Sequence, residues 1–235
     1  MADSTTMAAP TEGHNPALLH HFAEPQQQRD AASLGMWIFL ATEVMFFGGL
    51  FCAYLIYRLK YFGEFAAASQ QLSVKLGGTN TVVLICSSLT VVLAVWAVQH
   101  AKRTLLLGSL VATIILGFCF LGIKAVEYRE KFEKHHVPGP SFQFANVPVP
   151  GHPDLMANPY HAQMYFSLYF VMTGLHALHM IIGIGFFAWL LWAAYKGRFT
   201  PEYYTPLEMG GLYWHFVDIV WIYLFPLLYL IDLRK

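Results

Sequence analysis

Five apolar runs separated by polar connections set the pattern of this chain. Each is long enough to cross about 30 Å of hydrocarbon as a helix. The pattern predicts helices over about 34–57, 81–100, 105–128, 163–195 and 209–232, hence an all-α polytopic membrane helix bundle with five transmembrane helices. The first run contains GMWIFLATEVMFFGGLFCAY, twenty residues with one carboxylate, Glu43, near their middle. An ionisable group at that depth costs on the order of 3 kcal/mol, so it marks a candidate site.

The connections are unequal. Residues 1–30 form a polar tail with Pro10, Pro16, Pro25 and the run Gln26-Gln27-Gln28, expected to be poorly ordered. The tail has no basic segment leading into an apolar core, so it does not read as a cleaved signal peptide. Residues 31–235 read as a single transmembrane domain. Residues 58–80 read as a loop with Gly77-Gly78 ahead of the second helix. The turn from His100 to Thr104 is tight, which makes the second and third helices antiparallel neighbours. The long loop 129–162 carries Pro138, Pro140, Pro148, Pro150, Pro153 and Pro159, which forbid a regular helix across it. Pro201 and Pro206 precede the last helix.

Composition agrees with a membrane bundle. The chain is 57% hydrophobic and 12% charged, about half the charge of a soluble domain. Mean hydropathy is +0.47. A formal net charge of zero gives no sign of nucleic acid or of an acidic partner. Cys52, Cys86 and Cys119 lie inside apolar runs without metal-binding spacing and read as packing residues. An odd number of spans puts the termini on opposite sides. Basic residues do not settle which is inside: the tight connections with Lys102, Arg103, Lys196 and Arg198 lie on the N-terminal side, whereas the larger number (Arg58, Lys60, Lys75, Arg129, Lys131, Lys134, Arg234, Lys235) lies opposite.

Depth and spacing gather the intramembrane ionisable groups. Glu43 and Asp218 each lie about 14 Å from one face, and His176 about 10 Å from it. His176 and His179 are three residues apart, as are His215 and Asp218, so each pair shares a helix face. Trp214, Asp218 and Trp221 form a stripe on the last helix, where indole and imidazole N–H groups are expected to satisfy the carboxylate. Three readings are open for this set: hydrogen bonds that join helices, a proton path, or a metal site. The motifs of di-iron bundles are missing, so no metal ligands are assigned, and no catalytic set is present. Lys124 and Glu127 are placed near a helix end, where Lys124 is expected to reach outward into an interfacial ion pair. His100 reads as an interface anchor.

Five ordered motifs then resemble subunit III of haem-copper cytochrome c oxidases: WIFLATEVMFFGGLFCAY, TNTVVLICSSLT, GIKAVEYREK, MTGLHALHMIIG and GLYWHFVDIVWIYLFPLLYL. The resemblance places Glu43 on that family's carbodiimide-reactive carboxylate. Glu127 falls on its E-Y pair, and His176, His179, Trp214, His215, Asp218 and Trp221 on recurring positions. It implies a subunit of a proton-pumping oxidase that holds no haem or copper itself, these being in partner subunits. It further implies packing against subunits I and II, support of proton uptake, bound phospholipid, and a bacterial plasma-membrane location with the N-terminus cytoplasmic. Seven-helix members have two further helices at the start. The long loop suggests a docking surface for a neighbouring subunit or a further respiratory complex. Subunit III of a quinol oxidase, a nitric oxide reductase accessory or assembly protein, and a proton-coupled transporter are the competing readings.

Overall fold

The computed structural model describes residues 22, 24–144, 147–150 and 152–231, with backbone alone at 153 and 154. Among these, five helices are long and apolar enough to cross a membrane. They are α1 (Pro25–Lys60), α3 (Val74–Gln99), α4 (Arg103–Glu133), α5 (Pro159–Tyr195) and α6 (Thr205–Tyr229). A short α2 (Phe62–Ser69) follows α1, and a two-stranded antiparallel hairpin, β1 (Pro148–Val149) with β2 (His152–Met156), lies between α4 and α5. The chain is an all-α multi-pass membrane bundle, as its apolar runs predict.

The helices extend beyond those runs, because their polar ends reach past the apolar slab and carry their own start signals. Pro25 opens α1, where its missing N–H costs nothing, so residues 25–30 are helical rather than part of a tail. The rest of the predicted tail, apart from Phe22 and Glu24, lies outside the described residues. Ser73 caps α3 by accepting from the Leu76 N–H at 3.4 Å, and Asn158 caps α5 by accepting from the Tyr160 N–H at 3.0 Å. Gly77 and Gly78 therefore sit inside α3, not in a loop. A Cβ on Gly77 would come within 2.6 Å of the Phe225 ring, so the glycine lets α3 and α6 approach closely. At the other end, α6 stops at Tyr229, three residues past Pro226; the predicted end at Asp232 lies outside the described residues.

Helices α3, α4, α5 and α6 pack in a ring of neighbouring pairs, and α1 lies outside it against α5 and α6. One narrow stripe of α1 is buried, Leu40, Phe47 and Tyr54, at a spacing of seven. Trp37, Met45, Leu59 and much of the remainder face outward. Inside the ring, Trp214 and Trp221 are fully buried. Trp214 lies against Gly117 and Gly183, where a Cβ would approach its ring to 3.1 and 2.9 Å. The three cysteines are exposed on outer helix faces, so they do not pack in the core as expected from their apolar surroundings. Apolar residues on such faces meet lipid, which a cysteine tolerates.

Trp96 and Trp192 mark one rim of the bundle. Lys102 Nζ lies 4.4 Å from the Trp96 ring centre and Lys196 Nζ 4.1 Å from that of Trp192. His100 stacks on Trp96 at 4.3 Å, with Nδ1 2.9 Å from the Trp96 carbonyl. At the opposite end the loop between α4 and α5 folds back. Val149 lies close over Gly63 of α2, and Phe142 and Phe144 lie against Phe166 of α5.

Candidate functional site

The polar groups inside the bundle do not meet in one cluster: three separate sets stand out among the described residues, with His176 and Asn80 buried apart from them. The first joins α1 to α5. Glu43 Oε2 lies 3.1 Å from His179 Nε2, and both side chains are more than four-fifths buried. His179 Nδ1 lies 2.8 Å from the Leu175 carbonyl. A carbonyl can only accept, so Nδ1 carries a hydrogen. The contact with Glu43 then closes as a hydrogen bond only with a second proton between Nε2 and Oε2. That proton sits either on a carboxylic acid donating to imidazole or on an imidazolium donating to carboxylate. The pair thus ties two helices through a contact that closes as a hydrogen bond when a proton lies between them. Phe47 packs its ring edge on His179 at 5.3 Å, and Tyr213 of α6 donates to the His179 carbonyl at 2.9 Å.

The second place is around Lys124 and Glu127, whose side chains meet at 3.0 Å. The expectation that Lys124 reaches out to the interface is wrong: both residues are buried. The reason is a complete set of partners. Lys124 Nζ also donates to Tyr169 Oη at 3.3 Å and Tyr229 Oη at 3.0 Å. Those hydroxyls donate in turn to Glu127 Oε1 at 3.0 and 2.6 Å. Four aromatic rings, of Tyr128, Tyr169, Trp221 and Tyr229, surround the ammonium at 4.9–5.6 Å. All three ammonium hydrogens and both carboxylate oxygens are used, which is the condition for burying an ion pair.

The third place is a groove between α3 and α6. His215 Nδ1 lies 2.7 Å from Ser88 Oγ. Asp218 is buried beside them; among the described residues neither carboxyl oxygen has a close hydrogen-bond partner, and the Ser88 hydroxyl is the donor nearest to reaching it. The expected indole and imidazole donors go elsewhere: Trp214 Nε1 donates to Ser87 Oγ at 3.0 Å and Trp221 Nε1 to Thr81 Oγ1 at 3.1 Å. The tryptophans lie on the inward face of α6 against hydroxyls of α3, whereas Asp218 lies on the flank.

His176 and His179 share a helix but not a site. His176 points into the ring, 5.4 Å from both the Phe120 and Trp221 ring centres, with both nitrogens unbonded among the described residues. The buried Asn80 amide likewise has no hydrogen-bond partner among the described residues. Among the described residues no group of three or more His, Cys, Asp or Glu side chains is placed to hold a metal. Sequence reasoning missed Tyr169, Tyr229 and Ser88. For Ser88 a signal existed, a Ser-Ser pair within an apolar run.

With this geometry in place, comparison with known proteins is specific. The family profile described as "Cytochrome c oxidase subunit III" matches residues 23–135 and 159–232. The unmatched residues between these two stretches, 136–158, are the loop that carries the hairpin. Cytochrome c oxidase subunit 3 of Gallus gallus is 32% identical over 201 residues, which cover 83% of this chain and 67% of the relative. The probable cytochrome c oxidase subunit 3 of Nocardia farcinica is 31% identical over 199 residues, 85% of this chain and 87% of the relative. Heme-copper oxidase subunit I+III of Aeropyrum pernix is 28% identical over 222 residues, 92% of this chain but 24% of that longer protein.

Proposed function

Because the chain belongs to the cytochrome c oxidase subunit III family, and so is a non-redox subunit of an oxidoreductase complex, we propose that it steadies proton handling in the catalytic subunit beside it. The observation that carries this reading is the Glu43–His179 pair, which brings a carboxyl and an imidazole within 3.1 Å between α1 and α5. A carboxyl–imidazole pair within the bilayer can buffer or orient proton movement in a neighbouring chain. In this reading haem and copper belong to subunits I and II, oxygen reduction to water and proton pumping occur there, and α1 presents its outward apolar face to phospholipid or to a neighbouring chain. The N-terminus faces the cytoplasm. The I+III relative supports a place beside subunit I, since the matching segment there belongs to the same chain.

The test is turnover of the assembled oxidase carrying Glu43→Gln or His179→Asn. Initial oxygen consumption should stay near the parent level, while protons moved per electron or the number of turnovers before inactivation falls. Immediate loss of oxygen reduction in a fully assembled complex would place these residues in the catalytic step and overturn the supporting role. No change in stoichiometry or lifetime would reduce the pair to a helix clamp.

A further inference from the structure

Two polar side chains inside the ring, Asn80 of α3 and His176 of α5, bond to none of the three sets described above. Both are fully buried, and neither the Asn80 amide nor either His176 ring nitrogen has a hydrogen-bond partner among the described residues. They stand at one level of the bundle. Ser87 of α3, Gly117 of α4 and Gly183 of α5 all lie against Trp214 of α6. Seven residues from these four, two turns along the bundle in one direction, stand Asn80, Lys124, His176 and Trp221. The contacts of Trp221 agree with this register. Its ring centre lies 5.4 Å from that of His176 and 4.9 Å from Lys124 Nζ, and its Nε1 donates to Thr81, next to Asn80, at 3.1 Å.

The polar groups that share this level are already committed. The three Lys124 hydrogens go to Glu127, Tyr169 and Tyr229, and both tyrosine hydroxyls donate to Glu127. The Thr173 hydroxyl, one turn from His176, donates to the Tyr169 carbonyl and meets the Tyr128 hydroxyl. Turning any of these to Asn80 or His176 would leave another buried group bare. What the two residues need has a definite chemistry. A carboxamide offers both donor and acceptor, and so does a neutral imidazole. Their partner must therefore accept as well as donate. A metal cation engages only acceptors, a halide only donors, and acyl chains and dioxygen have no polar hydrogen to give. Water does both, and it is what meets buried polar groups that the chain itself leaves without partners.

We propose that Asn80 and His176 form a binding site for buried water, which joins the two side chains past the Trp221 indole and so ties α3 to α5 across the ring. These two helices are opposite members of the ring, each packed on α4 and α6. A bridging water is nearly as good a link as a direct hydrogen bond, so it holds the diagonal that side-chain packing leaves to α4 and α6. The site is distinct from the Glu43–His179 contact and does not depend on the role proposed for that pair.

The test is electron cryo-microscopy of the intact purified oxidase at a resolution that shows ordered water. The expected result is density within about 2.7–3.2 Å of both an Asn80 amide atom and a His176 ring nitrogen, or two such waters in contact between them. A direct hydrogen bond between the two side chains would overturn the proposal. So would a dry level, water at only one of the two residues, or an ion or lipid chain in its place. A double-mutant cycle reads the same tie in the same complex. Asn80→Leu, His176→Phe and the double variant are compared through the opening constants given by amide exchange at residues 78–82 and 174–178. The two substitutions should be non-additive by about fivefold, on the order expected of partners in one hydrogen-bond network. Additive effects would count against the bridge. Density in the unmodified oxidase decides the matter even where a variant fails to assemble.

Discussion

A lysine inside a membrane bundle is tolerated only if each of its hydrogens finds an acceptor, and Lys124 meets that condition with Glu127, Tyr169 and Tyr229. Removing one partner leaves the other charge uncompensated, which costs about 3–5 kcal/mol. Lys124→Met should therefore lower the stability of the detergent-solubilised chain by that order in a denaturant titration. The double variant Lys124→Met with Glu127→Gln should recover more than half of the loss, since no lone charge remains buried. A double variant as unstable as the single would show that the tyrosines, not the charge, dominate. The Lys124–Glu127 pairing was legible from its three-residue spacing. Its burial was not, because Tyr169 and Tyr229 lie 42 and 102 residues beyond Glu127 and nothing local in the sequence announces their arrival. The same holds for Glu43, which reads as isolated beside Val44, Met45 and Phe46 until α5 brings His179.

Helices were legible wherever apolar length alone decides them, and their ends were not. A spanning run records the lipid slab, whereas a helix ends where its caps and prolines end it. Ser73, Asn158 and Pro25 thus extend α3, α5 and α1 into the water, and Ala-rich α2 forms where only a loop was expected. Glycine in these helices carries different meanings at different positions. Gly183 faces the Trp214 ring, and a Cβ there would stand 2.9 Å from it, while Gly185 has nothing within 4 Å. Gly183→Val should push a fully buried indole off its seat against α5 and cost about 1–3 kcal/mol, the scale of core overpacking. Gly185→Val should leave the thermal midpoint within a degree or two, about the scale of a few tenths of a kcal/mol. Equal behaviour of the two variants would mean that α5 and α6 slide to relieve the contact.

For the molecule as a whole, the order of spans follows from the sequence, but their neighbours do not, apart from the α3–α4 pair forced together by the turn at His100–Thr104. The peripheral place of α1 and the return of the loop onto α2 and α5 depend on contacts distant in sequence. His136, just past α4, is a buried contact of that return. Its ring stacks on Phe166 at 5.0 Å and lies 5.8 Å from Phe144. Burial, aided by the nearby Lys131 and Lys134 charges and opposed in part by Glu130, pushes its pKa from 6.5 down to about 4. An undocked loop would take up a proton near pH 6.5, while the docked ring resists until about pH 4. Docking is therefore fully supported above pH 6.5 and weakens as pH falls from there toward 4. Amide exchange across residues 136–144 should accelerate progressively over that window, with the spanning helices unchanged. His136→Phe keeps the aromatic stack and carries no titrating group, so it should flatten the dependence. If the loop of the parent chain exchanges at the same intrinsic-corrected rate at pH 7 and pH 4.5, His136 does not hold it down. The docking would then rest on the other loop contacts, those of Phe142, Phe144 and Val149 among them.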